Sequence, residues 1–133
     1  MRIGLVPGDN ARTGRDRSDA LYITRKTPMA IYELRTYTFV VGKMAEGVEL
    51  YKAAGWPALS KHPNKLVGYF TGDIGALNQL VHMWKFNDDA DRRTFWEGVY
   101  ADSDFMTFAR LMRPLLITQE NKLLMAAPWG PHP

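Results

Sequence analysis

The chain has 133 residues, 46% apolar and 23% charged, with a formal net charge of +3 and no cysteine. That is the size of about one ordinary domain. No apolar run approaches the roughly 20 residues of a membrane-spanning helix. The missing cysteines exclude disulfides, a thiolate nucleophile, iron–sulfur ligation and thiolate zinc sites.

The positive excess is confined to the first part of the chain. Residues 1–28 hold six basic and three acidic groups, and residues 29–133 hold eleven of each. The basic balance therefore gives the domain no reason to bind nucleic acid. Residues 1–28 scatter Gly4, Pro7, Gly8, Gly14 and Pro28 among charges without a period of 2 or 3.6, and are expected to be a disordered leader. Pro7 and Gly8 interrupt Ile3–Val6 before it becomes a secretory core, and three aspartates oppose a mitochondrial presequence. Met29 reads as the natural start, residues 29–133 as one domain, and the cytoplasm as its location.

Ile31–Val41 is rich in β-branched and aromatic residues and stops at Gly42, which predicts a strand. Met44, Val48, Tyr51 and Ala54 then recur at helical spacing up to a Gly55-Trp56-Pro57 breaker, with a further turn to about His62. Lys65–Phe70 and Leu77–Phe86 are strand-like on either side of Thr71–Gly75, a two-glycine hairpin loop. Asn87 offers an N-cap for a second helix whose apolar face is Phe95, Trp96, Val99 and Tyr100. Asp102-Ser103-Asp104 reads as a break and fresh cap before Phe105, Phe108 and Met112. Arg113–Met125 closes as a strand bent near Asn121, ahead of a Pro-rich end.

The order β-α-β-β-α-β predicts an α+β, ferredoxin-like sheet, order 4-1-3-2, antiparallel, with both helices on one face. Alternation puts residues 31, 33, 35, 37 and 39 on one face of the first strand and 78, 80, 82, 84 and 86 on one face of the third. These rows, mixing Glu33, Arg35, Tyr37, Asn78, His82 and Trp84 with large apolar groups, are assigned to the bare face, as a surface for a dimer or a ligand.

Four segments, IYELRTYT, LVGYF, IGALNQLVHMW and RPLLITQEN, resemble in that order the recurrent segments of the NIPSNAP family, over about residues 29–130. The resemblance implies a ferredoxin-like protomer whose bare sheet face meets a second copy, a dimeric α/β barrel. It implies no particular reaction. The wider group of dimeric α/β barrels includes cofactor-independent monooxygenases, haem-degrading enzymes and small isomerases, an analogy of fold alone.

Glu33, Arg35 and Tyr37 are about 7 Å apart in succession along one strand face. Glu33 and Arg35 can simply pair; alternatively Arg35 anchors an anionic or enolate oxygen while Tyr37 donates a hydrogen bond. His82 is the candidate general base, with Trp84 stacking on an aromatic substrate, against the alternative of a hydrogen-bonded core histidine beside a packing tryptophan. Asn78 either orients a carbonyl or belongs to the hairpin loop. His62 reads as solvated and His132 as part of the Pro-rich end, so no spacing supports a metal site, and a haem would find only His82 as axial ligand. No cofactor is assigned, and no dinucleotide or P-loop pattern occurs. Trp96, Tyr100, Phe105, Phe108 and Met112 read as core, and Gln119-Glu120-Asn121 as a bulge, a subunit contact or a reach into the cavity, with the contact preferred. Two functions follow. One is a homodimer with a small-molecule pocket on the sheet face, of monooxygenase or isomerase type, taking an aromatic or enolisable ligand. The other is a noncatalytic dimerisation or protein-interaction module whose rows are packed solid.

Overall fold

The computed structural model describes residues 29–133. The expected leader, residues 1–28, lies outside the described residues. Strands β1 (Ile31–Phe39), β2 (Leu66–Thr71), β3 (Gln79–Phe86) and β4 (Leu116–Met125) form one antiparallel sheet in the order β2-β3-β1-β4. This is the predicted ferredoxin-like α+β arrangement. Helices α1 (Met44–Leu50), α2 (Trp56–Leu59), α3 (Asp89–Tyr100) and α4 (Ser103–Met112) connect the strands.

The predicted breaker at Gly55-Trp56-Pro57 does not break the chain. Tyr51–Gly55 is a π-helical turn that joins α1 to α2, and the Trp56 N–H reaches back five residues to the Tyr51 carbonyl. Pro57, which has no N–H, falls in the first turn of α2, where none is needed. Two positions without side chains let this helix pack closely, Gly47 on the sheet and Gly55 on α4. A Cβ at Gly47 would stand 2.1 Å from the Phe39 ring, and one at Gly55 would stand 2.6 Å from Phe108.

Other boundaries shift for local reasons. Asp88, not Asn87, caps α3: its side chain accepts from Asp91 N, and Asp91 in turn accepts from the Asn87 N–H. Asp102 caps α4 through Asp104 N, as expected of that break. Arg113–Leu115 is a 3₁₀ turn, because Pro114 suits a helical first turn better than a strand. The irregularity in β4 lies opposite Thr38 and Phe39 rather than at Asn121, which pairs regularly with Arg35.

The central strands reverse the predicted faces. Glu33, Arg35, Tyr37 and Phe39 of β1, with Leu80, His82, Trp84 and Phe86 of β3, are buried and pack against the helices. The opposite row holds Tyr32, Leu34, Thr36 and Thr38 of β1 with Val81, Met83 and Lys85 of β3. The helix-facing rows carry the larger apolar groups, Phe39, Leu80, Trp84 and Phe86, and burial of that area outweighs the cost of placing Glu33, Arg35 and His82 beneath the helices. Even the outer face is partly covered: the Pro133 carbonyl accepts from the Tyr32 hydroxyl at 2.7 Å and from Lys85 Nζ at 3.0 Å. Among the described residues no helix is long and apolar enough to cross a membrane.

Candidate functional site

Three buried polar groups on two neighbouring strands need partners, and the helices supply them for Glu33 while Arg35 and His82 hydrogen-bond within their own strands. Glu33, 1% exposed, accepts from the Trp96 indole at 2.6 Å, from Arg92 at 3.1 Å and from Arg35 at 3.4 Å. The Arg35 guanidinium lies 3.8 Å from the centroid of the Trp96 ring and donates through Nη1 to the Tyr37 hydroxyl at 3.2 Å. Glu33 and Arg35 thus pair, as one of the two expected readings had it, but α3 completes the pair. A buried carboxylate with three donors is satisfied and has little capacity left to accept a substrate proton.

Arg35 keeps a second role because a cavity of about 80 Å³ opens beside it. Its walls include Arg35 and Tyr37 from β1, Tyr51 from the π turn, Tyr100 from α3, Arg113 from the 3₁₀ turn and Gln119 from β4. Phe105, Phe108 and Met112 of α4 form its apolar side. Tyr100, expected in the core, is 47% exposed at this site, and Gln119, expected at a subunit contact, lines it. Burial alone would lower the Arg35 pKa, but Tyr37 and Glu33 hold it above the ordinary arginine value. Burial pushes the Tyr37 phenol up against the opposing pull of Arg35, and pushes Tyr51 well above its ordinary value. At neutral pH the cavity therefore presents a fixed cation and protonated phenols. Tyr37 accepts from Arg35, so its own proton is free for a ligand oxygen. Such a site favours an oxyanion.

His82 and Trp84 are elsewhere. Trp84 Nε1 donates to His82 Nδ1 at 2.7 Å; an indole can only donate, so the neutral imidazole carries its proton on Nε2. That Nε2 is buried without a partner among the described residues, as is the Tyr69 hydroxyl. The imidazole stacks on Tyr69 and meets the Tyr37 ring edge-on, and its Nε2 is enclosed, out of reach of a haem at the surface. Burial, and then Arg35, lowers the His82 pKa to about 3. His82 thus braces Tyr37 and Trp84 from behind the cavity wall. Trp84 packs on Phe95 and Trp96.

Asn78 belongs to the hairpin loop. Its φ of 59° is left-handed, a conformation asparagine tolerates, and its carbonyl accepts from Phe39 N at 2.8 Å. His62 is not a solvated loop residue: its Nε2 lies 2.9 Å from Asp102, which also binds Lys61. Those contacts, Lys61 first, hold the Asp102 carboxyl below its ordinary range. His132 Nε2 lies 2.8 Å from the Ala127 carbonyl. Among the described residues no cluster of His, Asp or Glu is arranged to hold a metal.

The fold and site define a ferredoxin-like α+β domain with a small polar cavity between sheet and helices. The NIPSNAP family profile matches residues 32–131, and the chain belongs to the NIPSNAP family. Among solved structures, a NIPSNAP family protein with unknown function from Agrobacterium tumefaciens str. C58 has 30% identity and a TM-score of 0.74, covering 79% of this chain and 95% of that one. An uncharacterized NIPSNAP-like domain protein from Burkholderia xenovorans has 29% identity and a TM-score of 0.73, covering 79% and 91%. SnoaB, a cofactor-independent oxygenase from Streptomyces nogalater, shares the fold at 19% identity and a TM-score of 0.56, covering 78% and 99%. Protein NipSnap homolog 3A of Homo sapiens is 29% identical over 102 residues, 76% of this chain. The chain spans 41% of that relative's length.

Proposed function

We propose that this chain is a homodimeric cytoplasmic protein whose cavity binds a small enolisable ligand as its enolate and acts on it without a cofactor, in the manner of a monooxygenase or an isomerase. The observation that carries this reading is the Arg35–Tyr37 pair, a buried cation and a free phenolic proton aimed at one small cavity. Arg35 supplies the positive charge and Tyr37 the hydrogen bond that together stabilise a developing oxyanion. Arg113 adds a second cation to the lining.

The division of labour differs from a histidine-base mechanism. Glu33 is saturated with donors and His82 offers no free acceptor, so the ligand's proton passes to solvent water, and Arg35 and Tyr37 lower the cost of that ionisation by holding the enolate. The fold likeness to SnoaB is compatible with cofactor-free chemistry on such an anion, by analogy of fold alone. The cavity lies between sheet and helices, not on the bare sheet face where the sequence reading places the ligand, and neither His82 nor Trp84 lines it, so the present reading moves the ligand to a different site.

Acetylacetone, a small diketone whose enolate absorbs at longer wavelength than its enol, is a direct probe. Addition of protein is expected to increase enolate absorbance saturably at neutral pH, and Arg35→Gln should abolish the effect. An oxygen electrode then separates the two chemistries: consumption with bound diketone supports oxygenation, and its absence directs the search to isomerisation. Loss of the enolate signal in neither Arg35→Gln nor Tyr37→Phe would sink the proposal.

A further inference from the structure

The interior cavity is small. At about 80 Å³ it is well under the roughly 150 Å³ of an engineered cavity that holds one benzene. It therefore encloses only the oxygen-bearing head of a diketone; a methyl substituent projects past half-exposed Tyr100, and an aryl one needs another space. A second cavity of about 390 Å³ lies toward β2, walled by Val48, Trp56, Tyr69, Thr71 and Leu80, with Lys52 beside them. One residue, Tyr51, lines both spaces.

Resting on the enolate-binding reading above, we propose that Tyr51 is the partition of a two-part site. The ligand's enolate head sits against Arg35 and Tyr37, and Tyr51 decides whether an aryl substituent on that head can extend into the apolar space beside Trp56 and Tyr69. Three observations converge on this wall. Tyr51 stands on the π-helical turn rather than on regular helix, and a π turn inside a helix is a recurrent mark of functional positions. Its ring meets Phe108 edge-on at 4.8 Å and Tyr69 at 5.6 Å. The neighbouring Tyr69 hydroxyl is buried with no partner among the described residues, as is His82 Nε2. Because that hydroxyl is enclosed, the part of Tyr69 that borders the outer space is its ring.

The aryl occupant follows from the lining. The outer space is bounded by Trp56 and Tyr69, whose rings meet edge-on at 6.1 Å, together with the side chains of Val48 and Leu80. Such walls suit a planar apolar ring. Lys52 is already paired with Glu49 at 3.2 Å, so this space does not call for an anion. Charge recognition stays with Arg35, and size recognition falls to Tyr51.

The test compares acetylacetone with its aryl homologue benzoylacetone on the full chain. Wild-type protein is expected to bind acetylacetone and to discriminate against benzoylacetone. Tyr51→Ala should tighten benzoylacetone about tenfold while changing acetylacetone less than threefold. Tyr51→Phe should keep the wild-type preference, because it keeps the ring. Trp56→Ala in the Tyr51→Ala background should reverse the gain. If Tyr51→Ala unfolds, Tyr51→Leu opens less space and is expected to shift the same ratio in the same direction.

A wild-type preference retained in Tyr51→Ala and Tyr51→Leu overturns the partition while leaving the enolate site standing. A benzoylacetone gain that survives Arg35→Gln overturns the two-part site, since the aryl ring then binds without its head at Arg35. Binding of neither diketone to any variant overturns the partition together with the enolate reading.

Discussion

The indole of Trp84 donates to Nδ1 of His82 over 2.7 Å, and both side chains are 2% exposed. This one hydrogen bond sets the tautomer of the imidazole and removes its only basic nitrogen from service, while the Trp84 ring packs on Phe95 and Trp96 of α3. It turns a residue with the ordinary credentials of a catalyst into a part of the wall.

His82 should make the protein acid-sensitive. Its folded pKa of about 3 lies below the unfolded value of about 6.5. The unfolded chain thus takes up a proton first as pH falls. The stabilisation is complete above pH 6.5 and is lost progressively as pH falls toward 3, at about 1.4 kcal/mol per pH unit. Urea unfolding between pH 6.5 and 4 should show that slope, and His82→Gln should flatten it. An unchanged slope in the variant would assign the acid limb to other groups.

Removing the Glu33 carboxylate leaves two guanidinium groups and an indole short of an acceptor. Glu33→Gln is expected to destabilise the fold by about 3–5 kcal/mol, the range for breaking a buried ion pair from one side. A double-mutant cycle with Trp96→Phe should give a coupling of about 1.5–3 kcal/mol for the indole–carboxylate bond. Additive effects would show that the 2.6 Å contact contributes nothing of its own.

Gly47→Ala should destabilise although alanine is the better helix former. The gain in propensity is about 1 kcal/mol. A Cβ 2.1 Å from the Phe39 ring must displace α1 or the ring, and overpacking of that kind costs about 1–3 kcal/mol. Phe39→Leu in the same chain should recover part of the loss, as read by thermal unfolding.

Tyr37→Phe separates binding from folding. The hydroxyl accepts from Arg35 and faces the cavity. Its loss should weaken acetylacetone enolate binding about tenfold, the worth of one hydrogen bond to a charged group at the low end. A variant that bound the enolate as wild type does would assign the oxyanion contact to Arg35 alone.

The proposed dimer has its own test. Val81 and Met83 stand on the outer sheet row, half-buried, and Phe70, paired with Val81 on the edge strand, is 57% exposed. Val81→Glu with Met83→Glu should convert a sedimenting dimer into a monomer without loss of helicity. A double variant that still sediments as a dimer would place the interface elsewhere.

Most of the architecture was legible in the order of periods along the chain. The switch from alternation at Ile31–Phe39 to helical spacing at Met44–Ala54, and the same switch after Phe86, is set by local backbone geometry. The rows too were correct as rows: Glu33, Arg35 and Tyr37 share a face, as do His82 and Trp84. What alternation does not say is which face meets the helices. The signal lay in volume, since Phe39, Leu80, Trp84 and Phe86 outweigh Leu34, Val81 and Met83, but three ionisable groups on the same row argued the other way.

Sequence by itself determined the strands and helices, their pairing into a ferredoxin-like sheet and the set of side chains able to do chemistry, because propensity and periodicity act over a few residues. Tertiary structure alone decided what that chemistry is. Trp96 and Arg92 arrive from α3 to satisfy Glu33, Trp84 occupies the nitrogen of His82, and Tyr51, Tyr100 and Gln119 come from three other elements to enclose Arg35 and Tyr37. Those partners lie up to 84 residues from Arg35, and a buried polar group takes its properties from whatever the fold packs against it, not from its neighbours in the chain.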